Sequence, residues 1–410
     1  MKILNFGSCN IDYVYSLEHI VEIGETQTSH KLEIFPGGKG LNQSIAAAKA
    51  GAVICHAGCV GSDSDLLTNI LTDNGVDISY ITKTSEKNGH AIIQVSKHGE
   101  NSIFLYPGSN DMVSKEYIDS VLESFGKGDI ILLQNEISNV DYIVEKAYAK
   151  EMCIILNPSP YNEKIEMIDF AKLSYIILNE VEAKAISNCE IPRQSLAYIK
   201  TKYPNLKVIL TLGVNGSIYS DSTHEFYQPS FKVEAVDTTA AGDTFTGYFI
   251  AELALGTDYK KILKIASAAS ALAVTKKGAA PSIPAKDEVM RALEKLKDSR
   301  SESKEDLIRS RIEAYIENNI KTATVKELAK ELGYSTIYTG ALIKKLKGKS
   351  FSKLLNDYKC KKAADMLLHT DLSVEEIINC MGYENKSFFR KIFKEKYGKN
   401  PLEFRKKGVE

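Results

Sequence analysis

The chain has 410 residues, of which 44% are hydrophobic and 26% charged, values typical of a globular protein with two or three domains. No run of 18 apolar residues and no signal peptide is visible, so neither a membrane span nor secretion is expected. The seven cysteines form no C-x-x-C pair and no zinc-like cluster with histidine, which favours reduced thiols and a cytoplasmic location.

Charge is distributed unevenly along the chain. Residues 307–410 contain 22 Lys and Arg against 13 Asp and Glu, a net charge of +9, whereas residues 1–306 contain 30 and 40, a net charge of −10. A basic C-terminal segment on an acidic body predicts a polyanionic partner for that segment.

Short apolar runs alternate with polar, helix-competent stretches over the first 296 residues. The runs at residues 2–7, 53–60, 130–134, 153–156, 175–178 and 208–211 predict buried strands. Residues 11–35 and 90–106 predict further strands, the second pair joined by a hairpin turn at residues 97–101. This order predicts βαβ units and a mostly parallel sheet, in which a ligand lies beyond the carboxyl ends of the strands.

A glycine-rich loop at residues 36–40 precedes an Ala-rich helix predicted at residues 42–50. Its glycines allow close backbone approach, and Lys39 and Asn42 supply donors suited to sugar hydroxyls. The alternative is an ordinary glycine-rich helix entry with Lys39 in solvent.

Residues 237–247, D-T-T-A-A-G-D-T-F-T-G, open a long apolar helix pattern. Small residues followed by an acid predict an anion site made of backbone N–H groups, with Asp243 beside it as a base. Such a pair suits phosphoryl transfer to a hydroxyl. The alternative is ordinary loop-to-helix packing with an acidic first turn.

From Leu307 onward the pattern is helical and rich in Lys, without a strand signal. Residues 324–335 and 373–384 resemble each other, and each predicts an N-capped helix that ends in Gly-Tyr and is followed by a second short helix. We therefore predict two helix-turn-helix motifs. The predicted domains are residues 1–297 and 307–410, and residues 298–306 predict a linker or, equally, the capped start of the next helix.

The motifs of the first domain occur in an order that resembles the PfkB family of sugar kinases, ribokinases above all. The matching segments are N-I-D at 10–12, G-G-K-G-L-N at 37–42, Glu136, N-E-V-E at 179–182, T-L-G at 211–213, residues 237–247 and K-G-A-A-P-S at 277–282. The resemblance implies a ribokinase-like α/β fold, with a doubly wound, mostly parallel sheet and a small β lid. It also implies ATP as the phosphoryl donor and a pentose as the acceptor.

The resemblance assigns roles position by position. Asp243 matches the catalytic base, and Ala240, Ala241 and Gly242 match the anion hole that stabilises the transferring phosphoryl group. Together with Asp243, the positions that match pentose-binding residues are Asn10, Asp12, Gly38, Lys39, Asn42 and Glu136.

Cofactor positions also follow from the resemblance. Asn179 and Glu182 match the motif that helps to place Mg²⁺, partly through water. The matches to nucleotide contacts are Asn179, Thr211, Gly213, Asn215, Gly216 and Gly242. The matches to a monovalent-cation site, expected to bind K⁺ mainly through backbone carbonyls, are Asp237, Thr239, Ala273, Lys276, Gly278 and Ser282.

Two further implications concern assembly and departures from the family pattern. The strands within residues 11–35 and 90–106 resemble a lid that covers the sugar and pairs two subunits, which implies a homodimer. Ser267 stands where a histidine commonly lies near the adenine, so the nucleotide contact there is expected to be altered. Tyr248 stands where Gly or Ala is expected, so local helix packing is expected to differ.

The C-terminal segment resembles the DNA-binding domain of the AraC/XylS family over residues 307–407, an all-α double helix-turn-helix. The resemblance places candidate DNA contacts at the start of each second helix, namely Ser335, Thr336 and Tyr338 in the first motif and Asn385, Lys386, Ser387 and Arg390 in the second. The first of these helices is less polar, so weaker base reading is expected there.

Together these features predict a pentose kinase, with D-ribose converted to ribose 5-phosphate as the favoured reaction, fused to a transcriptional regulator domain. One alternative is a transcription factor whose kinase-like domain mainly senses a sugar. A nucleoside or another sugar remains open as the substrate, because it would use similar groups.

Overall fold

The computed structural model describes residues 1–295, 304–332, 334–370, 372–383 and 385–406. The chain divides into two compact units, residues 1–299 and 300–410. The predicted linker lies outside the described residues as far as residue 303, and a helix begins at Lys304, within the segment predicted as linker or helix start.

Thirteen strands occur in the described part of the first unit. They are β1 (Ile3–Phe6), β2 (Asn10–Leu17), β3 (Lys31–Gly37), β4 (Ile54–Val60), β5 (Asp77–Lys83), β6 (Gly89–Ser96), β7 (Asn101–Tyr106), β8 (Ile130–Gln134), β9 (Cys153–Asn157), β10 (Tyr175–Asn179), β11 (Lys207–Thr211), β12 (Ser217–Ser220) and β13 (Glu225–Gln228). Every strand predicted from an apolar run is present.

Nine strands form the main sheet, in the order β13-β12-β11-β10-β9-β8-β1-β4-β5. The strands from β11 to β5 along this order are parallel, and β12 and β13 are antiparallel additions at one edge. The central strands β1 and β8 are buried along their whole length, which explains their continuous apolar sequences. The fold is therefore an α/β fold with a mixed, mostly parallel sheet.

Helices cover both faces of this sheet and enclose two apolar cores. The α-helices of the first unit are α1 (Lys39–Lys49), α2 (Asp65–Asp73), α3 (Lys115–Leu122), α4 (Val140–Ala149), α5 (Glu180–Ser187), α6 (Pro192–Lys202), α7 (Ala241–Ala254), α8 (Tyr259–Ala273) and α9 (Lys286–Leu293).

The close approach of α1 and α7 brings two site-bearing loops together. A methyl group at Gly247 would lie 2.4 Å from Ala46 Cβ and 2.7 Å from the backbone nitrogen of Ala47, so only glycine fits there. Tyr248 is fully buried, and its hydroxyl donates to the Pro284 carbonyl at 2.8 Å. The larger side chain at this position is therefore accommodated by a specific hydrogen bond.

A second, four-stranded sheet has the order β3-β2-β6-β7. Asn10, at the start of β2, lies between Gly37 of β3 and Gly89 of β6, so the sheet begins beside the glycine-rich loop. The strands predicted within residues 11–35 and 90–106 therefore form one small sheet.

The second unit is helical in its described residues. Its helices are α10 (Lys304–Asn318), α11 (Val325–Leu332), α12 (Thr336–Lys347), α13 (Phe351–His369), α14 (Val374–Cys380), α15 (Lys386–Tyr397) and α16 (Pro401–Lys406). The pairs α11–α12 and α14–α15 are the two predicted helix-turn-helix motifs, and α13 lies between them in the chain. Each pair contributes to its own apolar core.

None of the helices in the described ranges is long and apolar enough to cross a membrane.

Candidate functional site

Asp243 lies in the first turn of α7, and only 6% of its surface is exposed. Its Oδ1 accepts a hydrogen bond from Gln43 Nε2 at 2.8 Å, and its Oδ2 accepts one from Asn42 Nδ2 at 3.1 Å. Both donors lie on α1, so the packing of α1 against α7 fixes the direction of this carboxylate.

The start of α7 is built to present backbone N–H groups. Ala240 precedes the helix with φ of 58°, a left-handed conformation that is uncommon and strained for a residue other than glycine. No side chain caps this helix start, and the amides of Gly242 and Asp243 belong to the first turn, where N–H groups lack partners within the helix. Gly242 is exposed. This arrangement can accept an anion next to Asp243.

Lys39 and Glu136 meet at the start of α1. Glu136 Oε2 accepts hydrogen bonds from the Ser8 hydroxyl at 2.5 Å and from the Lys39 backbone nitrogen at 2.9 Å. Burial raises the pKa of Glu136 although Lys39 opposes that shift. Burial alone would lower the pKa of the Lys39 ammonium, but the carboxylates of Asp243, Glu136 and Glu182 outweigh it and raise that pKa.

Asp12 adds a third carboxyl group to the same region. Burial, followed by the charges of Glu136 and Asp243, raises the pKa of Asp12 to about 7. The mutual influence of Asp12, Glu136, Asp243 and Lys39 places all four predicted residues in one polar cluster.

Two asparagines of the predicted sugar site are buried. Asn10 Oδ1 accepts a hydrogen bond from Asn110 Nδ2 at 2.7 Å. Asn42 uses its Nδ2 on Asp243, whereas its buried Oδ1 has no hydrogen-bond partner within the described residues. A buried acceptor without a donor is costly, so this oxygen is available to a donor such as a ligand hydroxyl or a water molecule.

Sequence reasoning missed a row of buried amides behind Asp243. Gln134 Nε2 donates to Gln43 Oε1 at 2.8 Å and to Asn5 Oδ1 at 2.9 Å. Gln43 Nε2 donates to Asn157 Oδ1 at 3.0 Å as well as to Asp243. The accepting oxygen of Gln43 is thereby occupied, which fixes its amide with the nitrogen towards Asp243.

Sequence reasoning also missed Ser8 and Asn110, because their contacts, like those of the buried amides, join residues that are far apart in the chain. Asn110 is almost fully buried, and its Oδ1 accepts from the Cys9 backbone nitrogen at 3.0 Å, 101 residues away in the chain. The only sequence signal that could have pointed to Gln134 is its position at the end of an apolar run. The only signal for Gln43 is its position after the glycine-rich loop, in the first turns of α1.

Comparison with known proteins identifies the family to which the chain belongs. A family model described as pfkB family carbohydrate kinase matches residues 1–286. The chain belongs to the pfkB family of carbohydrate kinases. Its first unit is a ribokinase-like sugar kinase domain.

Relatives of the kinase domain are found among curated and solved proteins. Bacillus subtilis ribokinase is 36% identical over 291 residues, covering 69% of this chain and 96% of that protein. Haemophilus influenzae ribokinase is 35% identical over 301 residues, covering 70% and 97%. The structure of Arabidopsis thaliana ribokinase complexed with ribose and ATP is 26% identical with a TM-score of 0.63, covering 71% of this chain and 98% of that chain.

A second model, described as a helix-turn-helix domain, matches residues 328–407. The C-terminal unit is therefore a helix-turn-helix domain of AraC type joined to the pfkB kinase domain.

The pfkB residues predicted to help place Mg²⁺ form a helix cap. Asn179 Oδ1 accepts from the backbone nitrogens of Val181 and Glu182, both at 2.9 Å, and Glu182 accepts from the backbone nitrogen and the Nδ2 of Asn179. This reciprocal capping box occupies most of their polar atoms. The two residues therefore fit a metal held through water better than one coordinated directly.

Four of the predicted nucleotide residues, Thr211, Gly213, Asn215 and Gly216, lie at the end of β11 and in the turn to β12. Thr211 donates to the Leu178 carbonyl at 3.3 Å, and the Asn215 carbonyl accepts from the Tyr227 hydroxyl at 2.7 Å. Ser267 is buried, and its hydroxyl lies 3.5 Å from that of Ser217 on β12. Asn179 and Thr211 pair across the neighbouring parallel strands β10 and β11. The short turn from Gly213 to Asn215 therefore leaves the sheet at the same end of the strands as Asn179.

The predicted cation site joins two separate segments around Asp237. Its Oδ1 accepts from the backbone nitrogen and hydroxyl of Thr239, and its Oδ2 accepts from the Gly278 backbone nitrogen at 2.9 Å. The Ala273 carbonyl accepts from the Lys276 backbone nitrogen, and the Ser282 hydroxyl donates to the Ala279 carbonyl. The Asp237 hydrogen bonds hold the loop before α7 against the loop after α8, which fits a site lined by loop carbonyls.

The candidate DNA-binding residues lie at the starts of α12 and α15. Ser335 and Asn385 are the N-caps, and their side-chain oxygens accept from the backbone nitrogens of Tyr338 and Phe388. The other predicted residues, Thr336, Tyr338, Lys386, Ser387 and Arg390, are exposed. Lys386 forms an ion pair with Glu375 at 2.8 Å.

Proposed function

We propose that the first unit transfers the γ-phosphoryl group of ATP to a pentose, with D-ribose giving ribose 5-phosphate as the favoured reaction. The carrying observation is the buried Asp243 carboxylate, oriented by two amides beside the uncapped amides of α7. A base next to an anion site is what transfer of a phosphoryl group to a hydroxyl needs.

Asp243 takes the proton of the sugar hydroxyl, and the resulting oxygen attacks the γ-phosphorus as the bond to ADP breaks. The backbone N–H groups of Gly242 and its neighbours Ala240 and Ala241 stabilise the charge on the transferring group. The Ala241 N–H also donates to the Thr238 carbonyl at 3.3 Å, so it would be shared with the phosphoryl group. Lys39 adds positive charge near the same carboxylate.

Sugar binding is assigned to the polar cluster between β2, the glycine-rich loop and β8. Carboxylates and amides bind vicinal hydroxyls well, and the unpartnered Oδ1 of Asn42 supplies an acceptor that a hydroxyl would satisfy. The proposed sugar contacts are Asn10, Asp12, Gly38, Lys39, Asn42 and Glu136. Ribokinases among the relatives favour ribose over a nucleoside or another sugar.

Nucleotide contacts are assigned to Asn179, Thr211, Gly213, Asn215, Gly216 and Gly242. Mg²⁺ that accompanies ATP would be held by Glu182 and Asn179 through water, and it would supply charge neutralisation at the phosphates. K⁺ would be held by the loops that carry Asp237, Thr239, Ala273, Lys276, Gly278 and Ser282.

Dimerisation through the lid is part of the proposal. Leu32 and Ile34 of β3 and Ile103, Phe104 and Leu105 of β7 are each about half exposed, between 47% and 57%. β3 and β7 are the two edge strands of the small sheet. Exposed apolar side chains along such edges support a surface that another chain covers.

The C-terminal unit is proposed to bind DNA as a transcriptional regulator. Its positive net charge and its two capped, exposed helix starts support this role. A second candidate function follows from the fusion: the kinase domain would act mainly as a sugar sensor for that regulator.

The test is an ATP-consumption screen across pentoses, hexoses and nucleosides, with the phosphorylated position identified by ³¹P NMR. Asp243→Asn should lower turnover by about 10²–10⁴-fold, the usual contribution of a general base, while calorimetry still detects sugar binding. Full turnover by Asp243→Asn would exclude the proposed mechanism. Sugar binding without turnover in the unaltered chain would favour the sensor.

A further inference from the structure

The second helices of the two helix-turn-helix motifs, α12 and α15, have the same length and the same type of ends. Each has 12 residues, begins after a capping side chain and ends at a left-handed glycine, Gly348 for α12 and Gly398 for α15. Their buried positions also correspond, since Ile343 and Phe393 each lie eight residues after the N-cap (343 − 335 and 393 − 385) and are fully buried. Residues at equal distances from the two caps can therefore be compared directly.

The exposed faces of these helices differ in chemistry. At the first, second, fifth and sixth helical positions, α12 carries Thr336, Ile337, Gly340 and Ala341. At the same positions, α15 carries Lys386, Ser387, Arg390 and Lys391. None of the four α12 residues is charged, whereas three of the four α15 residues are cationic.

Ile337 is the most informative of these positions. It is 88% exposed in the first turn of α12, and the neighbouring Tyr338 is 53% exposed, with its ring 5.0 Å from that of Tyr334. A single exposed apolar side chain needs no explanation. Here, however, the equivalent position of α15 carries Ser387, whereas the next position is an exposed aromatic residue in both helices, Tyr338 and Phe388. The apolar side chain peculiar to α12 is therefore Ile337.

Apolar side chains have one recognisable target in the major groove, the 5-methyl group of thymine. Arg and Lys instead pair with O6 and N7 of guanine. Lys386 forms an ion pair with Glu375. Arg390 is exposed on α15, and its guanidinium is suited to a bidentate contact with guanine.

We infer that the two helix-turn-helix motifs read chemically different half-sites. In this inference α12 reads a thymine methyl group through Ile337, and α15 reads guanine through Arg390. The operator is then asymmetric, with a thymine-containing half and a guanine-containing half. This inference rests on the proposed DNA binding of the C-terminal unit.

The experiment begins by selecting bound duplexes from a random pool with the full-length chain. In the selected duplex, deoxyuridine then replaces thymine, or 7-deazaguanine replaces guanine, in each half separately. Deoxyuridine removes only the 5-methyl group. We expect it to weaken binding about fourfold per lost methyl contact in one half and to have no effect in the other. We expect 7-deazaguanine to weaken binding in the opposite half.

Protein variants assign each effect to a helix. Ile337→Ala should remove the sensitivity to deoxyuridine and keep the sensitivity to 7-deazaguanine, and Arg390→Ala should do the reverse. Leu368→Ala is the matched control, because Leu368 is an exposed apolar residue of α13, which is not one of the two second helices. Ile337→Val should retain part of the deoxyuridine sensitivity and shows that the Ile337→Ala result is not a loss of folding.

The outcomes separate this inference from the function on which it rests. Failure to enrich any duplex would overturn DNA binding and the inference together. Enrichment of a duplex whose halves respond equally to deoxyuridine would overturn the inference and leave DNA binding intact. Sensitivity to deoxyuridine that persists in Ile337→Ala would overturn the assignment to α12.

Discussion

Gln43 determines how the Asp243 carboxylate is presented, although it is not among the predicted ligands. Its amide joins Asp243 to Gln134 and Asn157, at 2.8, 2.8 and 3.0 Å. Because the oxygen of Gln43 is held by Gln134, its nitrogen can only face the carboxylates and amide oxygens in front of it. Gln43 is therefore a positioning residue for the proposed base.

Gln43→Glu tests this role with almost no change in shape. A second carboxylate beside Asp243 favours the protonated form of that base, so the acid limb of the kcat profile should move to higher pH. Turnover at pH 7 should fall about tenfold or more and recover as the pH rises, while the KM for the sugar changes little.

The matched control for Gln43→Glu is Gln228→Glu, on the edge strand β13. It introduces the same charge away from Asp243 and should leave the pH profile in place. An unshifted profile for Gln43→Glu would show that Gln43 is only a packing residue.

Asp12 predicts a pH dependence of sugar affinity. Its pKa is raised to about 7 by burial and by Glu136 and Asp243, and the ionised carboxylate is the form that accepts two hydroxyl hydrogen bonds. Sugar should therefore bind about tenfold more tightly at pH 8 than at pH 6, by titration calorimetry. Asp12→Asn should bind more weakly and without this dependence, and equal affinities at both pH values in the unaltered chain would contradict the assignment.

The Asp12 carboxyl group also affects the stability of the ligand-free protein, which should fall as the pH rises, whereas sugar affinity should increase. Between its ordinary pKa of 3.8 and about 7, Asp12 binds more protons in the folded state than in the unfolded state. Its contribution to the free energy of unfolding therefore falls as the pH rises through this window.

At the scale of the element, α7 contains a glycine required for packing, Gly247, and a glycine of the proposed anion site, Gly242. A methyl group at Gly242 would contact nothing within 4 Å, whereas at Gly247 it would lie 2.4 Å from Ala46 Cβ. The chain therefore needs glycine at Gly247 for packing on α1, but its own packing does not require one at Gly242.

Gly242→Ala and Gly247→Ala should consequently fail in different ways. Gly242→Ala should keep the free energy of unfolding, or raise it by up to about 1 kcal/mol, while turnover falls at least about tenfold because the methyl group crowds the anion site. Gly247→Ala should lower the free energy of unfolding by about 1–3 kcal/mol through overpacking. Denaturant unfolding and turnover measured on both variants check this, and equal destabilisation by the two would refute it.

The strands of the main sheet were largely predictable from sequence, because each central strand is buried along its whole length. The run at residues 130–134 has the bounds of β8, and the predicted hairpin around residues 97–101 separates β6 from β7. Strands buried on both faces must be continuously apolar, and a turn between two alternating segments interrupts that pattern.

The contacts within the site were less predictable, because they join distant parts of the chain. Gln43 and Asp243 are 200 residues apart, and Asn10 and Asn110 are 100 apart. The capping box of Asn179 and Glu182 is different, since an Asn followed three residues later by Glu is itself a capping signal. The cap was therefore predictable from the local sequence alone, independently of the Mg²⁺ role that the resemblance implies.

At the scale of the whole molecule, the chain joins a net-acidic kinase unit to a net-basic helical unit. Covalent linkage alone does not make the sugar a signal for DNA binding. A ligand shifts DNA affinity only if it binds differently to the DNA-competent and DNA-incompetent states of the chain.

We expect that coupling to exist, since the kinase unit would otherwise need no tether to a DNA-binding unit. Ribose with a non-hydrolysable ATP analogue should change the DNA affinity of the full chain at least about fivefold, by fluorescence anisotropy on a selected duplex. With ATP, the shift should fade in the unaltered chain as ribose is consumed and should persist in Asp243→Asn, which binds without turnover. The Asp12→Asn variant, weakened in sugar binding, should show the shift only at higher ribose concentrations. The same DNA affinity with and without ligands in all three proteins would mean that the two units act independently and that the sensor function is wrong.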